Sequence, residues 1–360
     1  MNFYMPVKVY EESNCVMAHA RELSEMGIKP LIVTGRSSAK KNGSLDDVIN
    51  ALKSCGKSYA RFNKVEENPS IETIMEARDY GIEEGCDYVI GIGGGSPMDA
   101  AKAIALMMAN PDKDSSYLDT KVESFDCLPV AAVPTTCGTG SEVTGVSVLT
   151  RHKEKKKGSI PYRIYPQYAF LDAKYLMEAP ENIINNTAID ALAHMIESYL
   201  NSNATDYSRM FVREGLRYWK ECKKVLLGDE KLTLEYARKL MLASNYAGMA
   251  IAHTSTSVPH GLSYSLTYDL NIPHGKACAY FLGGYILEVS KEEQEDILAM
   301  MGFDSVMELN QFLIKVCGLE EVPKEILMES AMKVGTNEEK LKNCPFKADL
   351  DSVKRIAGVK

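Results

Sequence analysis

Residues 88–102, YVIGIGGGSPMDAAK, predict a β-strand, a turn of bare backbone and the start of a helix. The apolar run Tyr88–Ile92 is typical of a buried strand, and the alanine-rich residues after Pro97 are typical of a helix. Ser96 can act as the N-cap, Pro97 as the first helical residue and Asp99 as the acid of a capping box. The stretch therefore predicts a helix that begins directly after a strand.

Gly93, Gly94 and Gly95 form the turn between these two elements. Because they lack Cβ atoms, a ligand can approach the backbone, and the N–H groups and positive dipole end of the following helix favour an anion. A phosphate or pyrophosphate is the expected ligand. A tight strand-to-helix connection without a ligand is the alternative.

Strand-like and helical runs alternate over the first half of the chain. The predicted strands cover residues 7–10, 31–34, 59–65, 88–92, 128–133, 146–149 and 169–172. The predicted helices cover residues 13–26, 45–55, 70–84 and 97–109. This alternation predicts an α/β domain in which helices cover a parallel sheet and ligands bind at the carboxyl ends of the strands.

A second polar loop, PTTCGTGSE at residues 134–142, follows the strand predicted at 128–133. Its hydroxyl groups belong to Thr135, Thr136, Thr139 and Ser141. Because loops at the carboxyl ends of parallel strands converge, we expect these hydroxyls near the glycine turn. An ordinary polar surface loop is the alternative.

Helical periodicity dominates from about Asn186 onward. The predicted helices cover residues 187–201, 206–226, 232–252, 276–290 and about four shorter segments. We therefore expect an α/β dinucleotide-binding domain at 1–180 and an all-α, metal-binding domain at 181–360, with the boundary near Pro180.

The composition narrows the classes of partner. With 41 basic and 49 acidic residues the formal charge is −8, which does not suit a nucleic-acid backbone, and the HKEKKK run at 152–157 is interpreted as a solvated loop. Nine scattered cysteines and the lack of a charged-then-apolar leader predict a reducing, cytoplasmic location. No apolar run approaches the roughly 18 residues that span a bilayer, so no membrane partner is expected.

Four side chains form a candidate metal site. Asp190 and His194 are four residues apart in NTAIDALAHMIES, while His260 and His274 each lie between a proline and a glycine. One carboxylate and three imidazoles suit iron(II) or zinc, and the lack of a thiolate disfavours a structural zinc. Each residue also has an alternative role without a metal. Asp190 could be the acid of a capping box with Thr187, and His194 could be a hydrogen-bonded histidine of the core. His260 and His274 could be ordinary polar loop residues.

Four motifs together resemble the iron-containing, group III alcohol dehydrogenases. They are GGGSPMDAAK, PTTCGTGSE, the DALAHMIES helix and two PHG segments fourteen residues apart. The resemblance covers nearly the whole chain in order. It implies a Rossmann-like N-terminal domain and an all-helical C-terminal domain, the architecture shared with dehydroquinate synthase, with cofactor and metal facing each other across a cleft. It also implies a homodimer or a larger homo-oligomer.

The resemblance assigns roles residue by residue. Asp190, His194, His260 and His274 match the metal ligands, and Gly94, Gly95 and Ser96 match the pyrophosphate loop. Thr135, Thr136 and Ser141 match cofactor-contacting positions, and Lys157, with Lys156 as a rival, matches a lysine near the nicotinamide ribose. The candidate cofactor-binding residues are Gly35, Ser37, Ser38, Gly94, Gly95, Ser96, Asp99, Thr135, Thr136, Thr139, Ser141 and Lys157.

Three positions depart from the family pattern. Cys137 replaces an alanine common in the threonine-rich loop, and it is either inert packing or an oxidation-sensitive thiol. Tyr264 replaces a histidine thought to relay the alcohol proton, so His260 and Tyr264 are the candidate catalytic residues, with water or the cofactor ribose as other routes for the proton. Gly35–Ser38 lack the aspartate that favours NAD, so we expect NADP(H) to be preferred, with NAD(H) possible.

The primary hypothesis is metal-dependent, reversible hydride transfer between NADP(H) and a small primary alcohol or aldehyde, with Fe2+ as the metal and Zn2+ as a possible substitute. A dehydroquinate-synthase-like carbon–oxygen lyase is one alternative. A non-catalytic nucleotide- or metal-binding protein is the other.

Overall fold

In a computed structural model that describes residues 3–154 and 156–359, the chain forms two compact units. The α/β unit comprises Met5–Thr136 and Ser141–Ala179. The helical unit comprises Pro180–Lys360 together with Met1–Tyr4 and Cys137–Gly140. The division therefore falls between Ala179 and Pro180, and the middle of the threonine-rich loop packs with the helical unit.

The α/β unit is built on a six-stranded parallel sheet in the order β1-β8-β5-β4-β2-β3. The strands of the unit are β1 (Lys8–Glu11), β2 (Pro30–Gly35), β3 (Ala60–Val65), β4 (Tyr88–Gly93), β5 (Val130–Pro134), β6 (Val148–Arg151), β7 (Lys156–Ser159) and β8 (Tyr168–Leu171). Strands β6 and β7 form a separate antiparallel pair. The predicted parallel sheet is confirmed.

Helices cover both faces of this sheet. They are α1 (Cys15–Ala18), α2 (Ala20–Ser24), α3 (Ser38–Lys41), α4 (Ser44–Ser54), α5 (Ile71–Glu83) and α6 (Gly95–Ala109), with short 3-10 helices at Ser115–Asp119, Ser141–Val143 and Ala173–Leu176. Leu31 and Val33 pack in one hydrophobic layer, whereas Ile32 between them packs in the layer on the opposite face. Burial on both faces explains why the central strands are continuous apolar runs.

The helical unit contains eleven helices among its described residues. They are α7 (Glu181–Tyr199), α8 (Asp206–Glu221), α9 (Lys223–Leu226), α10 (Leu234–Thr254), α11 (Val258–Leu270), α12 (His274–Leu287), α13 (Lys291–Met301), α14 (Val306–Cys317), α15 (Lys324–Gly335), α16 (Glu338–Leu341) and α17 (Leu350–Ile356). The mostly helical C-terminal region and the α/β N-terminal region together confirm the predicted fold class.

Several elements differ from their predictions. The helix expected at 206–226 is divided at Cys222 into α8 and α9, and the strand expected at 146–149 corresponds to β6 of the separate antiparallel pair. The helix expected at 13–26 is interrupted at His19, which separates α1 from α2. Part of the lysine-rich run, interpreted as a solvated loop, forms β7, because it pairs with β6 through the backbone and needs no apolar side chains. Helix α11 was not predicted, since Pro259 resembles a helix breaker but lies in the first turn, where proline is tolerated.

No single helix of the described ranges is long and apolar enough to cross a bilayer. The pair α13 and α14, bent by 43°, meets the length and composition test only when the two helices are taken together.

Candidate functional site

The four side chains predicted to bind metal lie together in the helical unit. Asp190 and His194 are one turn apart on α7, His260 is in the first turn of α11, and His274 begins α12. The distances from the Oδ1 atom of Asp190 to the Nε2 atoms are 4.0 Å for His194, 3.5 Å for His260 and 3.7 Å for His274. One carboxylate oxygen thus faces three imidazole nitrogens.

Each imidazole contacts a second group through its other nitrogen, Nδ1. The contacts are His194 with the carbonyl oxygen of Gly138 at 3.3 Å, His260 with the carboxylate of Glu197, and His274 with the hydroxyl of Ser263 at 3.4 Å. Partners of this kind fix the tautomer and the orientation of a metal-binding histidine. They leave the three Nε2 atoms directed toward Asp190.

The charges of the cluster suit cation binding. Burial would raise the pKa of Asp190, but the imidazoles of His194 and His274 hold it well below its usual range, so the carboxylate is ionised. Burial lowers the pKa of His194 to about 4, which leaves a neutral ring. Burial opposes ionisation of Glu197, yet the neighbouring His260 lowers the pKa of this carboxyl to about 2.

The charge of His260 also depends on its neighbours. Burial alone would lower its pKa, but the adjacent Cys278 and Glu197 raise it well above its ordinary value. Nδ1 of His260 contacts the Glu197 carboxylate, which leaves Nε2 as the nitrogen that could bind a metal ion.

Two buried polar atoms show that the residues fit a divalent ion. Asp190 is 3% exposed and His260 is 2% exposed, and within the described ranges neither Oδ1 of Asp190 nor Nε2 of His260 has a hydrogen-bond partner. A buried polar atom without a partner costs about 1–3 kcal/mol, so such atoms are rare in folded proteins. Iron(II) or zinc binds carboxylate oxygen and imidazole nitrogen and would satisfy both.

A glycine brings the helices of the site together. A Cβ atom at Gly275 would lie only 1.8 Å from the backbone oxygen of Asn186 and 3.0 Å from the backbone nitrogen of Asp190. Only glycine allows the start of α12 to approach α7 this closely, and this approach places His274 beside Asp190.

The capping-box alternative for Asp190 is wrong. Helix α7 begins at Glu181, so Thr187 lies inside the helix, where its hydroxyl donates to the carbonyl oxygen of Ile183 at 2.8 Å. The helix starts earlier than predicted because Pro180 is its N-cap.

Two further residues of the cluster were not predicted. Glu197 is fully buried, and its carboxylate accepts from the backbone N–H groups of Ser257 and His260 and from the hydroxyl of Ser257. Its position seven residues after Asp190, two turns along one face of α7, was the available signal.

Cys278 is the second such residue, one turn after His274 on α12. Its sulfur and one ligand atom each of Asp190, His260 and His274 all lie within 4.8 Å of one another. A donor set without a thiolate was predicted, and Cys278 adds a sulfur atom to it.

The glycine turn differs in one respect from its prediction. Helix α6 begins at Gly95 with Gly94 as its N-cap, so the predicted capping box of Ser96 and Asp99 is wrong. The glycine backbone allows the helix to begin before the first side chain that could cap it. Because none of the described side chains caps α6, the N–H groups of its first turn are disposed to bind an anion.

The start of the threonine-rich loop lies beside this turn. Strands β4 and β5 pair in parallel with Gly93 opposite Pro134, and the N–H of Thr135 donates to the carbonyl oxygen of Gly93 at 2.9 Å. A Cβ atom at Gly94 would lie 3.2 Å from the side chain of Thr136. Both loops therefore leave the same edge of the sheet.

Asp99 and Ser141 belong to a buried network of the α/β unit. The hydroxyl of Ser141 donates to Asp99 at 2.6 Å, and the backbone N–H of Val148 donates to the same carboxylate at 2.9 Å. The Lys102 ammonium donates to Ser141 at 2.7 Å and to the carbonyl oxygen of Val146 at 2.8 Å. Burial lowers the pKa of Lys102 to about 8. These contacts connect α6 to the segment that precedes β6.

Lys157 reaches the neighbourhood of the glycine turn through Asn68. Its ammonium donates to the Asn68 side chain at 2.6 Å, and the N–H of Asn68 donates to the Ser96 hydroxyl at 3.1 Å. Lys156 is exposed at the start of β7. Asn68 was not predicted, although its left-handed backbone, with φ at 57°, is common for asparagine in turns.

Thr139 and Cys137 pack in the helical unit. The sulfur of Cys137 lies 3.3 Å from the hydroxyl of Thr187, and burial raises the pKa of this thiol to about 12. A buried thiol with so high a pKa is a poor nucleophile, which favours the packing role.

The remaining predicted residues lie at two places. Gly35 ends β2, and Ser37 and Ser38 are exposed at the start of α3. The ring of Tyr264 stacks on that of His274, with the centroids 5.9 Å apart and the planes 17° apart. Tyr264 is thus a neighbour of the histidine cluster.

Comparisons with known proteins agree with these features. The family model described as iron-containing alcohol dehydrogenase matches residues 6–173, and the C-terminal model of the same family matches residues 184–354. The chain is 28% identical to the NADPH-dependent butanol dehydrogenase of Clostridium saccharobutylicum, with 99% of this chain and 92% of that protein covered. Related dehydrogenases include both NAD- and NADPH-dependent proteins.

Two other matches show the extent of the similarity. The iron-containing alcohol dehydrogenase of Thermotoga maritima, a solved structure, is 34% identical with a TM-score of 0.90, and 99% of each chain is covered. The aldehyde-alcohol dehydrogenase 2 of Entamoeba histolytica is 31% identical over 78% of this chain, which spans only 33% of that longer protein. Both halves of the chain thus match one family, and the chain belongs to the iron-containing alcohol dehydrogenase family.

Proposed function

We propose that the protein catalyses reversible hydride transfer between NADP(H) and a small primary alcohol or aldehyde, with a divalent metal, Fe2+ or Zn2+, held by Asp190, His194, His260 and His274. The observation that carries the proposal is a pair of buried atoms at the centre of the histidine cluster, Oδ1 of Asp190 and Nε2 of His260, which have no hydrogen-bond partner among the described residues. A divalent ion bound there supplies Lewis-acid polarisation of a substrate oxygen.

The chain's own residues have distinct roles in this proposal. The Glu197 carboxylate accepts the Nδ1 proton of His260 and so keeps Nε2 available to a cation. Tyr264 stacks on His274 at the edge of the cluster, and we assign it to the transfer of the alcohol proton. The first turn of α6 binds the pyrophosphate, with Asn68 and Lys157 beside it.

Replacing His260 tests the function. We expect His260→Ala to reduce butanal-dependent oxidation of NADPH by on the order of 10³-fold or more, since it removes a ligand of the Lewis acid. NADPH binding, measured by fluorescence titration, should be nearly unchanged. His253→Ala is the matched control, because His253 is in the same unit and its ring nitrogens contact the carbonyl oxygen of Met249 and the backbone N–H of Tyr4. Full activity of His260→Ala after metal stripping would refute the proposal.

The preference for NADP(H) is supported by the end of β2. Gly35 is followed by Arg36, Ser37 and Ser38, all three exposed and none of them acidic, so a 2′-phosphate would meet a cation and hydroxyl groups instead of a carboxylate. We expect a higher kcat/KM with NADPH than with NADH.

A single substitution should weaken that preference. Gly35→Asp places a carboxylate where the 2′-phosphate would lie, and the added Cβ is only in ordinary contact, 3.6 Å from the carbonyl oxygen of Val65. The NADPH-to-NADH ratio of kcat/KM should fall about tenfold or more, which corresponds to roughly 1.4 kcal/mol. An unchanged ratio would argue against 2′-phosphate binding at this position.

We also propose a homodimer or larger homo-oligomer, in keeping with the family resemblance. Sedimentation equilibrium of the purified protein measures the assembly directly, and a monomer at micromolar concentration would contradict it.

A further inference from the structure

Cys278 lies where a metal ligand would lie. It follows His274 by one helical turn on α12, so both side chains project from the same face of the helix. Its sulfur is within 4.8 Å of a ligand atom of Asp190, of His260 and of His274. We infer that the Cys278 thiolate is a further metal ligand and that it favours zinc over iron(II) at this site.

The spacing of the donor atoms is compatible with a shared ion. In a tetrahedral zinc site, a zinc–sulfur bond of about 2.3 Å and a zinc–nitrogen bond of about 2.1 Å place the two donor atoms about 3.6 Å apart. The donor atoms of the cluster lie within 4.8 Å of one another, so movements on the order of 1 Å or less bring them to one ion. Side-chain rotations supply movements of this size.

Burial is the second reason. Cys278 is fully buried, and it lies beside two buried atoms, Oδ1 of Asp190 and Nε2 of His260, for which the described part of the chain offers no hydrogen-bond partner. These atoms and the sulfur converge on one point from α7, α11 and α12. A thiol that packed only against apolar side chains would not meet such atoms.

The chemistry of sulfur gives the metal preference. Thiolates are soft ligands that favour zinc over the harder iron(II), whereas carboxylate and imidazole accept both ions. Binding breaks the S–H bond, releases the proton to solvent and forms a metal–sulfur bond. Asp190, His260 and His274 are then common to both metals, and Cys278 distinguishes between them.

The inference rests on the metal site of the proposed function but not on its substrate, so metal binding tests it without turnover. Cobalt(II) is the probe, because a cobalt–thiolate bond gives an intense charge-transfer absorption in the near ultraviolet, and the weaker visible bands report binding in any case. We expect the charge-transfer band in the wild-type protein and its loss in Cys278→Ser. Cys222→Ser is the control, since Cys222 is a buried helical-unit thiol whose sulfur faces the carbonyl oxygens of Tyr218 and Tyr236.

Competition with a chelator gives the affinities. Cys278→Ser should weaken zinc binding by at least about 10- to 100-fold, since loss of even a hydrogen-bond partner of a metal ligand costs this much, and iron(II) binding by less than about threefold. Zinc X-ray absorption of the wild-type protein supplies a check that needs no variant, with a sulfur neighbour expected at about 2.3 Å.

The outcomes separate the two proposals. Visible cobalt bands without a charge-transfer band, or a band that persists in Cys278→Ser, would overturn the role of Cys278 and leave the proposed function intact. Absence of cobalt binding altogether would overturn both. A charge-transfer band in a protein that does not oxidise NADPH with butanal would support the thiolate ligand and refute the proposed reaction.

Discussion

Two buried polar clusters, one in each unit, differ in how their charges are satisfied. In the α/β unit, the Lys102 ammonium has three oxygen neighbours, on Ser141, Val146 and Thr144 at 2.7, 2.8 and 3.5 Å, and Asp99 accepts from Ser141 and Val148. In the helical unit, Asp190 and His260 each hold a buried atom without a hydrogen-bond partner in the part of the chain that the structure describes.

The contrast separates a structural cluster from a binding cluster. Every charge of the Asp99–Lys102 cluster is paired by side chains or backbone of the same unit, so this cluster needs no ligand. In the Asp190–His260 cluster, the two buried atoms without hydrogen-bond partners among the described residues support the proposed cation. Substitutions in the first cluster should therefore change stability without changing metal binding, and substitutions around the second should weaken metal binding.

The largest effect is expected from Lys102→Met. The methionine fills a similar volume but removes the buried ammonium that lies 3.7 Å from the partly buried Asp99 carboxylate, so the free energy of unfolding should fall by about 4 kcal/mol. Urea denaturation measures the change. Lys113→Met, at a side chain that is 47% exposed, should cost less than about 0.5 kcal/mol. If Lys102→Met lowered the free energy of unfolding by less than about 1 kcal/mol, or weakened cobalt binding, the proposed difference between the two clusters would be wrong.

The next effect concerns the two glycines that follow His260 and His274. In Gly275→Ala the new Cβ would overlap the backbone oxygen of Asn186, whereas in Gly261→Ala it would meet the side chains of Val334 at 3.2 Å and Lys340 at 3.6 Å. We expect Gly275→Ala to weaken metal binding about 100-fold, equivalent to roughly 3 kcal/mol, because α12 must move away from α7. Gly261→Ala should change it by less than about fivefold. Isothermal titration with zinc compares the two, and equal affinities would show that this helix approach is unimportant.

A smaller effect is expected from Glu197→Gln. One oxygen of Glu197 accepts from Ser257 and from the His260 backbone, and the other accepts from Nδ1 of His260. The glutamine amide turns one of these acceptors into a donor that faces another donor, so metal affinity should fall about 10- to 100-fold. Glu235→Gln on α10, where the side chain is 76% exposed, is the control. Unchanged affinity in Glu197→Gln would mean that the orientation of His260 does not depend on this carboxylate.

Local features of the sequence predicted the elements well where a single pattern decided them. The apolar run before Gly93 and the helical run after it lie where expected, and so do the strand at Pro30–Gly35 and the helix of Asp190 and His194. These patterns depend only on residues that are close in the sequence, so they can be recognised before the fold is known. The capping box predicted at Ser96 is wrong, because the conformational freedom of Gly94 and Gly95 lets helix α6 begin before Ser96.

Long-range partners were the features that local patterns could not supply. Glu197 was not assigned a role, because its partner His260 is 63 residues away in the chain. Asn68 was not predicted beside Ser96, from which it is separated by 28 residues. Cys278 was counted among scattered cysteines, and only its neighbours on α7 and α11 reveal its position in the donor cluster.

The sequence by itself determined the strand, glycine turn and helix at residues 88–102, and it placed Asp190 with His194 on one helical face, because backbone periodicity and glycine's freedom act within a few residues. The tertiary structure alone decided that three histidines and Cys278 meet the same carboxylate. That convergence depends on the packing of α7, α11 and α12, which requires the bare backbone of Gly275 against the carbonyl oxygen of Asn186.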